Sequence, residues 1–314
     1  MGRGSGFGKA ILFNEHFVVH GVPGIVSAID SVADAETKKS GKGITVEDER
    51  KGAKGYAEKK RIQQKESIEN MLKAMNIDPQ KVSLKIWLGG NLPGFSGIGA
   101  SAASSVAIAR AIADELGMDL SDEKINEAAY EAEKAYAGNP SGIDNTAATY
   151  GGLIWFKKNL VGGANIIERL SIREPVEILI GNTGIVANTK AMVAGVAERK
   201  KENPQKYGAL FHQAEDLAFK ARKALEAFDL KQVGELMNKN HLLLQEIEVS
   251  CRELDHLVDL AREQGAYGAK LTGGGGGGCM VALTPGKDLQ EAVAAAMKNE
   301  GFKVLKTKIG IQKV

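Results

Sequence analysis

A lysine that follows a glycine, Gly8-Lys9, opens the apolar run Ala10-Ile11-Leu12-Phe13, which reads as a buried strand. An ammonium at the head of such a strand is poorly solvated unless an anion accompanies it. Directly after it, Asn14 to Gly21 sets Glu15, His16 and His20 among Phe17, Val18 and Val19. A lone histidine there would ordinarily be a hydrogen-bonded core residue, but two with a carboxylate in so short a span point to a site. Farther on, Ser121 has the form of a helix N-cap, with Asp122 and Glu123 in the first turn and Gly138 as the stop. Glu133 borders the buried seam of that helix (Ile125, Ala129, Ala132, Tyr136) in its last turn, where a carboxylate opposes the helix dipole. Such an acid is either surface-exposed or held by a cation. Gly138-Asn139-Pro140-Ser141-Gly142 then forms a tight turn that presents Asp144 beside another apolar segment.

The stretch that could serve these groups is residues 90–116. Pro93, Gly94, Gly97 and Gly99 end abruptly in Ala100-Ser101-Ala102, and a helix follows with Ala102, Val106, Ala109, Ile112 or Ala113, and Leu116 on one stripe before Gly117. Glycines let backbone N–H groups turn toward a ligand, and a helix N-terminus adds about half a positive charge, so the construction suits phosphate. It is not a Walker loop, because Ala100 stands where that motif requires Lys. A plain glycine-rich turn before a packed helix is the competing reading of this stretch taken alone.

Other elements must position these groups. Val82 to Leu88 alternates apolar and polar residues, a half-buried strand leading into the glycine loop. Residues 56–76 carry Ile62, Ile68, Met71, Leu72 and Met75 at helical spacing, and Lys42 to Glu49 reads as an exposed hairpin arm. Gly24 to Ile29, Tyr150 to Phe156 and Val176 to Ile180 read as strands, with long helical patterns over about 203–228, 229–244 and 250–264. Lys270-Leu271-Thr272 and Cys279 to Leu283 read as strands flanking the run Gly273 to Gly278, where a close backbone approach to a ligand explains the glycines better than a linker. Polar Asn182-Thr183-Gly184 and Asn188-Thr189-Lys190 follow the strand at Val176, as residues lining a site often do. A domain boundary falls near 172, giving residues 1–172 and 173–314.

Composition narrows the function classes. With 314 residues, 43% hydrophobic and 25% charged, the chain can build two modest domains. A net charge of +2 and no basic block with interleaved aromatics argue against nucleic acid, and the Lys-rich Lys51 to Lys65 reads as a solvated helix face. Cys251 and Cys279 lie far apart without metal spacing, which fits a reducing compartment. No apolar run reaches membrane-spanning length and the N-terminus lacks a signal-peptide pattern, so a soluble cytoplasmic protein is expected.

Three motifs in this order resemble the GHMP kinase superfamily: Gly8-Lys9 with Asn14-Glu15-His16, Pro93 through Ala102, and Lys270 through Cys279. Within it the chain looks most like the mevalonate kinases, through Glu15-His16-Phe17-Val18-Val19-His20-Gly21, Asn139-Pro140-Ser141-Gly142-Ile143-Asp144-Asn145 and Asn188-Thr189-Lys190-Ala191-Met192-Val193-Ala194-Gly195-Val196. The resemblance covers nearly the whole chain. It departs in Phe7 for the usual Pro, Asn14 for Gly, Ala100 for Ser, and Gly274 for Ala, the last expected only to add flexibility.

The resemblance implies an α/β (α+β) fold of two domains, the N-terminal one like ribosomal S5 domain 2 and the C-terminal one ferredoxin-like, with the active site in the cleft between them. It implies ATP and Mg²⁺ as cofactors. Asp144 and Lys9 match the catalytic pair, Ser101 and Glu133 the metal ligands, and Pro93, Gly97, Ile98, Gly99, Ala100, Ser101, Ala102 and Ser104 the nucleotide loop. Glu15, His16, His20, Thr189, Gly275 and Gly276 match positions around the acceptor, a small hydroxy acid such as mevalonate. The chemistry stands independently of the name: phosphoryl transfer needs the phosphate charge neutralised, a metal bridging the phosphates, and an oriented hydroxyl. Competing readings are a phosphomevalonate, homoserine or sugar kinase of the same superfamily, and a non-catalytic binding protein on the same fold. Retention of Lys9, Glu133 and Asp144 speaks against the last. A homodimer is compatible with the sequence and not specified by it.

Overall fold

The computed structural model describes residues 1–41, 43–50, 56–186 and 188–312, with the backbone alone for 56–61. The Lys-rich stretch read as a solvated helix face therefore lies largely outside the described side chains. Along the chain run β1 (Gly2–Phe13), a 3₁₀ turn (Phe17–His20), β2 (Gly24–Lys39), β3 (Ile44–Asp48), α1 (Tyr56–Ala74), β4 (Leu84–Gly90), α2 (Ala100–Leu116), α3 (Asp122–Ala137) and α4 (Ile143–Tyr150). There follow β5 (Leu153–Lys157), β6 (Ile166–Leu170), β7 (Val176–Asn182), α5 (Thr189–Glu202), α6 (Pro204–Glu226), α7 (Leu230–Glu246), α8 (Arg252–Glu263), β8 (Gly268–Thr272), β9 (Cys279–Leu283), α9 (Lys287–Asn299) and β10 (Lys303–Ile309). Internal contacts divide these into two compact units: residues 1–9, 30–95 and 99–151, and residues 10–29, 96–98 and 152–314.

In the first unit, β4 pairs antiparallel with β2 (Ala33 opposite Gly90, Lys39 opposite Leu84) and parallel with β3 (Ile44 opposite Leu84). The segment read as a hairpin arm is thus a strand of the sheet: a hairpin needs an antiparallel partner next in sequence, whereas β3 joins β4 across α1. Helices α1, α2 and α4 pack with α3 or with one another. Ile68, Met71, Leu72 and Met75 are buried as their spacing predicts, but Ile62, nearer the start of α1, is exposed. Instead of one apolar stripe, α2 is buried over Ala102 to Ala109 and Ala111 to Ala113, nearly all round. The reason lies in β1, whose alternate glycines Gly2, Gly4 and Gly6 sit on the backbone of α2. A Cβ on each would stand 2.2–2.4 Å from the carbonyl oxygens of Ala111, Ala107 and Ala103 respectively. Glycine on the strand and alanine on the helix permit that approach.

The second unit takes the start of β2, which pairs antiparallel with β5 (Gly24 opposite Phe156), and β5 in turn pairs with β6. Ile309 of β10 lies opposite Ile29, and β10, β7, β9 and β8 form an antiparallel series in that order. Helices α6, α7 and α8 follow the predicted periodic patterns closely. Helix α7 lies directly on β8: a Cβ on Gly234 would stand 2.1 Å from the Tyr267 carbonyl oxygen. None of the described helices is long and apolar enough to cross a membrane.

Candidate active site

The first unit brings together Lys9, Asp144, Ser101 and Glu133 in two pairs. Lys9 Nζ lies 3.0 Å from Asp144 Oδ1, with the lysine side chain 2% exposed and the aspartate 37%. Asp144 lies in the first turn of α4, behind Gly142 at φ 90°. There the helix dipole favours a negative charge. The lysine stem passes over the N-terminus of α2, where a Cβ on Gly99 would stand 2.7 Å from Lys9 Cγ. Gly99 also has φ 72° as the N-cap, so two independent constraints demand glycine there.

Ser101 Oγ donates to Glu133 Oε2 at 3.0 Å, and Ser105, one helical turn later, approaches Glu133 Oε1 at 3.5 Å. Glu133 is buried, which excludes the surface-acid reading. Ser105 was not anticipated, although its i, i+4 spacing from Ser101 was a usable signal. Ser104 Oγ donates to the Ala100 carbonyl at 2.6 Å and accepts from the Arg50 guanidinium. Of the other loop positions, Ala102 and Gly99 are buried, and Pro93 and Ala100 are part-exposed.

The second unit holds Glu15, His16, His20, Thr189, Gly275 and Gly276, and Gly97 and Ile98 lie on a segment that belongs to it. Glu15 Oε1 is paired with Lys270 Nζ, both side chains fully buried, and Lys270 also donates to the Leu271 carbonyl at 2.6 Å. Lys270 was noticed only as the opening of a motif, and its partnership depends on a contact with a residue near the other end of the chain.

His16 Nε2 donates to the Gly274 carbonyl at 2.9 Å. Burial pushes the His16 pKa down to about 4, against the opposing effect of that hydrogen bond, so the ring is neutral near pH 7. A carbonyl can only accept, so the proton sits on Nε2, and Nδ1 is left as a buried acceptor with no hydrogen-bond partner among the described residues. His20 is likewise held near 4, by burial first and then by Lys200 and Lys158. Its ring meets Phe211 edge-on at 5.1 Å, and Lys200 Nζ lies 4.2 Å from the Phe211 centroid.

Thr189 begins α5, behind the Asn188 cap that accepts from Ala191 N–H at 3.1 Å. A Cβ on Gly274 would stand 2.2 Å from Thr189 Oγ1 and 2.9 Å from its Cβ. The glycine at 274 therefore does more than add flexibility, since alanine there requires Thr189 to shift. Gly276 N–H donates to the Val249 carbonyl at 2.9 Å, which fixes the glycine run as packed backbone rather than a linker.

Asn14, which stands where the family usually has glycine, has φ 70°. Glycine occupies that region freely, and asparagine is among the side chains that tolerate it best. Its partners supply the rest: Asn240, Pro23 and Ala214 bind its backbone and side-chain amide.

Comparison with known proteins assigns the chain to a family. Residues 64–152 match the family described as GHMP kinases N terminal domain, and residues 221–303 match GHMP kinases C terminal. The chain belongs to the GHMP kinases, with the mixed α/β architecture the motifs implied. It is 35% identical to a mevalonate kinase of Pyrococcus furiosus and 33% identical to one of Thermococcus sibiricus, each match covering 96% of this chain and 94% of the relative. Among solved structures, L. major mevalonate kinase in complex with R-mevalonate is similar at a TM-score of 0.92 and 37% identity, over 100% of this chain and 97% of the other. The Methanococcus jannaschii mevalonate kinase is similar at a TM-score of 0.79 and 26% identity, over 98% of each chain.

Proposed function

We propose that this protein is an ATP-dependent mevalonate kinase, transferring the γ-phosphoryl group of ATP to the primary alcohol of (R)-mevalonate to give 5-phosphomevalonate and ADP. The observation that carries a phosphotransferase reading is the buried Lys9 paired at 3.0 Å with a solvent-reachable Asp144, beside a glycine-capped helix N-terminus. The choice of mevalonate rests on near-full-length relatives that bear that activity in their names.

In the reaction, the acceptor oxygen forms a bond to the γ-phosphorus while the bond from that phosphorus to the β–γ bridging oxygen breaks, and ADP leaves with the electron pair. Asp144 takes the hydroxyl proton, and the Lys9 ammonium offsets negative charge on the reacting oxygens. Backbone N–H groups at the start of α2 receive phosphate oxygens. Ser101 and Glu133 are a hard oxygen pair of the kind Mg²⁺ accepts, since that ion commonly takes one or two protein oxygens and fills its shell with water and phosphate. Bound there, Mg²⁺ would neutralise phosphate charge. Glu15, neutral His16, His20 and Thr189, with the backbone of Gly275 and Gly276, bind the acceptor.

A panel of mevalonate, phosphomevalonate, homoserine and galactose with Mg-ATP, scored for ADP and phosphorylated product, tests the reading. Mevalonate should be turned over fastest. Faster turnover of any competitor would reassign the acceptor.

A further inference from the structure

We infer that Asn240 is a positioning residue for the acceptor-binding segment Glu15-His16, acting through the backbone of Asn14. The inference rests on the proposed reading of Glu15 and His16 as acceptor-binding residues.

Asn14 stands immediately before Glu15 in the left-handed region, at φ 70°, a conformation that costs any residue with a Cβ. Something must hold it. Asn14 N–H donates to Asn240 Oδ1 at 3.1 Å, and Asn240 Nδ2 donates back to Asn14 Oδ1 at 2.9 Å. The Asn14 amide donates to the carbonyls of Pro23 and Ala214, both at 2.8 Å, and the Asn14 carbonyl accepts from Val18 N–H at 3.0 Å. Each of these bonds limits rotation of the peptide that leads into Glu15.

The source of this restraint is out of place by sequence pattern. The buried face of α7 is otherwise built largely from Val233, Leu236, Met237, Leu243 and Leu244. Asn240 and His241 interrupt that face, fully buried. A polar side chain in such a seam is unfavourable unless it is bonded, and these two are bonded to the segments that carry the acceptor groups. Next to Asn240, His241 Nδ1 accepts from Leu271 N–H at 3.3 Å, in the strand that carries Lys270, the partner of Glu15. One turn of α7 therefore holds both sides of the Glu15–Lys270 pair, while His16 is tied to Gly274 beyond the same strand.

If Asn240 only stabilised the fold, its loss would lower the melting temperature and leave the kinetics of the folded protein alone. A positioning role makes a different demand, because glycine reaches φ near 70° without assistance. The test compares Asn240→Ala, Asn14→Gly, Asn14→Ala and the double variant Asn14→Gly/Asn240→Ala in the full chain. Melting temperature and the KM values for mevalonate and ATP are measured for each, with Glu15→Gln as control. Asn240→Ala should raise the mevalonate KM about tenfold with the ATP KM unchanged, since misplacement of binding groups by a fraction of an ångström is enough. Adding Asn14→Gly should return the mevalonate KM toward normal while the melting temperature stays low.

A folded Asn240→Ala protein with normal mevalonate KM overturns the inference, as does a double variant no better than Asn240→Ala. Should Asn240→Ala fail to fold, the two substitutions at 14 decide: both lose the side-chain bonds, but only alanine strains the backbone. The inference requires the mevalonate KM of Asn14→Ala to exceed that of Asn14→Gly, and equal values overturn it. If Glu15→Gln leaves the mevalonate KM unchanged, the acceptor-binding reading itself fails and takes the inference with it. A raised KM in Glu15→Gln beside a normal one in Asn240→Ala removes the positioning role alone.

Discussion

Lys9 Nζ and Asp144 Oδ1 form a 3.0 Å ion pair in which the ammonium is almost completely buried and the carboxylate is open to solvent. This asymmetry suits catalysis, because the partner that must meet a substrate hydroxyl is the reachable one. Asp144→Asn should lower kcat by at least ~10², the low end for positioned acid–base groups. ATP affinity should hold. If the pair only tied strand to helix, the same variant would lower stability and leave turnover near normal. Turnover, ATP titration and thermal melts on one preparation separate the two outcomes.

Glu133 takes the hydroxyl of Ser101 on one oxygen and approaches that of Ser105 with the other. Glu133→Gln should raise the Mg²⁺ concentration needed for half-maximal activity and lower turnover, with the fold intact. Ser105→Ala should move that Mg²⁺ requirement less than Ser101→Ala does. Full activity of Glu133→Gln at low Mg²⁺ would remove the carboxylate from the metal role.

Gly274→Ala places a methyl group against Thr189, with a 2.2 Å approach to its hydroxyl oxygen. Overpacking of this kind costs about 1–3 kcal/mol unless a neighbour moves. Thr189 lies on an exposed helix start and can give way, so much of the effect should appear as a higher mevalonate KM rather than a lower melting temperature. Steady-state kinetics with both substrates would show it, and an unchanged mevalonate KM would contradict it.

His16 and His241 are both held near a pKa of 4, chiefly by burial, against 6.5 in the unfolded chain. Between those values the unfolded chain binds more protons than the native protein. Stability therefore rises with pH across the window and is lost as pH falls through it, by up to about 1.4 kcal/mol per pH unit for each ring. Melting temperature should decline from about pH 6.5 to pH 4. Imidazole NMR signals of His16, His20 and His241 should titrate near 4. Titration of these three rings near 6.5 would contradict the burial argument.

Much of the architecture was legible in residue order alone, where local physics suffices. The patterns over 203–228, 229–244 and 250–264 became α6, α7 and α8 because a sustained 3.6-residue apolar period leaves few alternatives. The alternation before the glycine loop became β4 for the corresponding reason. Lys9, Glu133, Asp144, Glu15 and His16 could be singled out because ionisable groups in glycine-rich or apolar surroundings are costly without a use.

Tertiary structure decided the partners. Residue order does not say that Asn14 meets a side chain 226 positions away, that Lys270 meets Glu15, or that β3 joins β4 in parallel. Nor does it show that alternate glycines of β1 let α2 be buried almost all round, where an amphipathic stripe was expected. Helix α5, with Val196 alone buried, has no apolar period to read. Such features depend on which distant segments pack together, a choice made by the free energy of the whole chain, and local spacing carries no record of it.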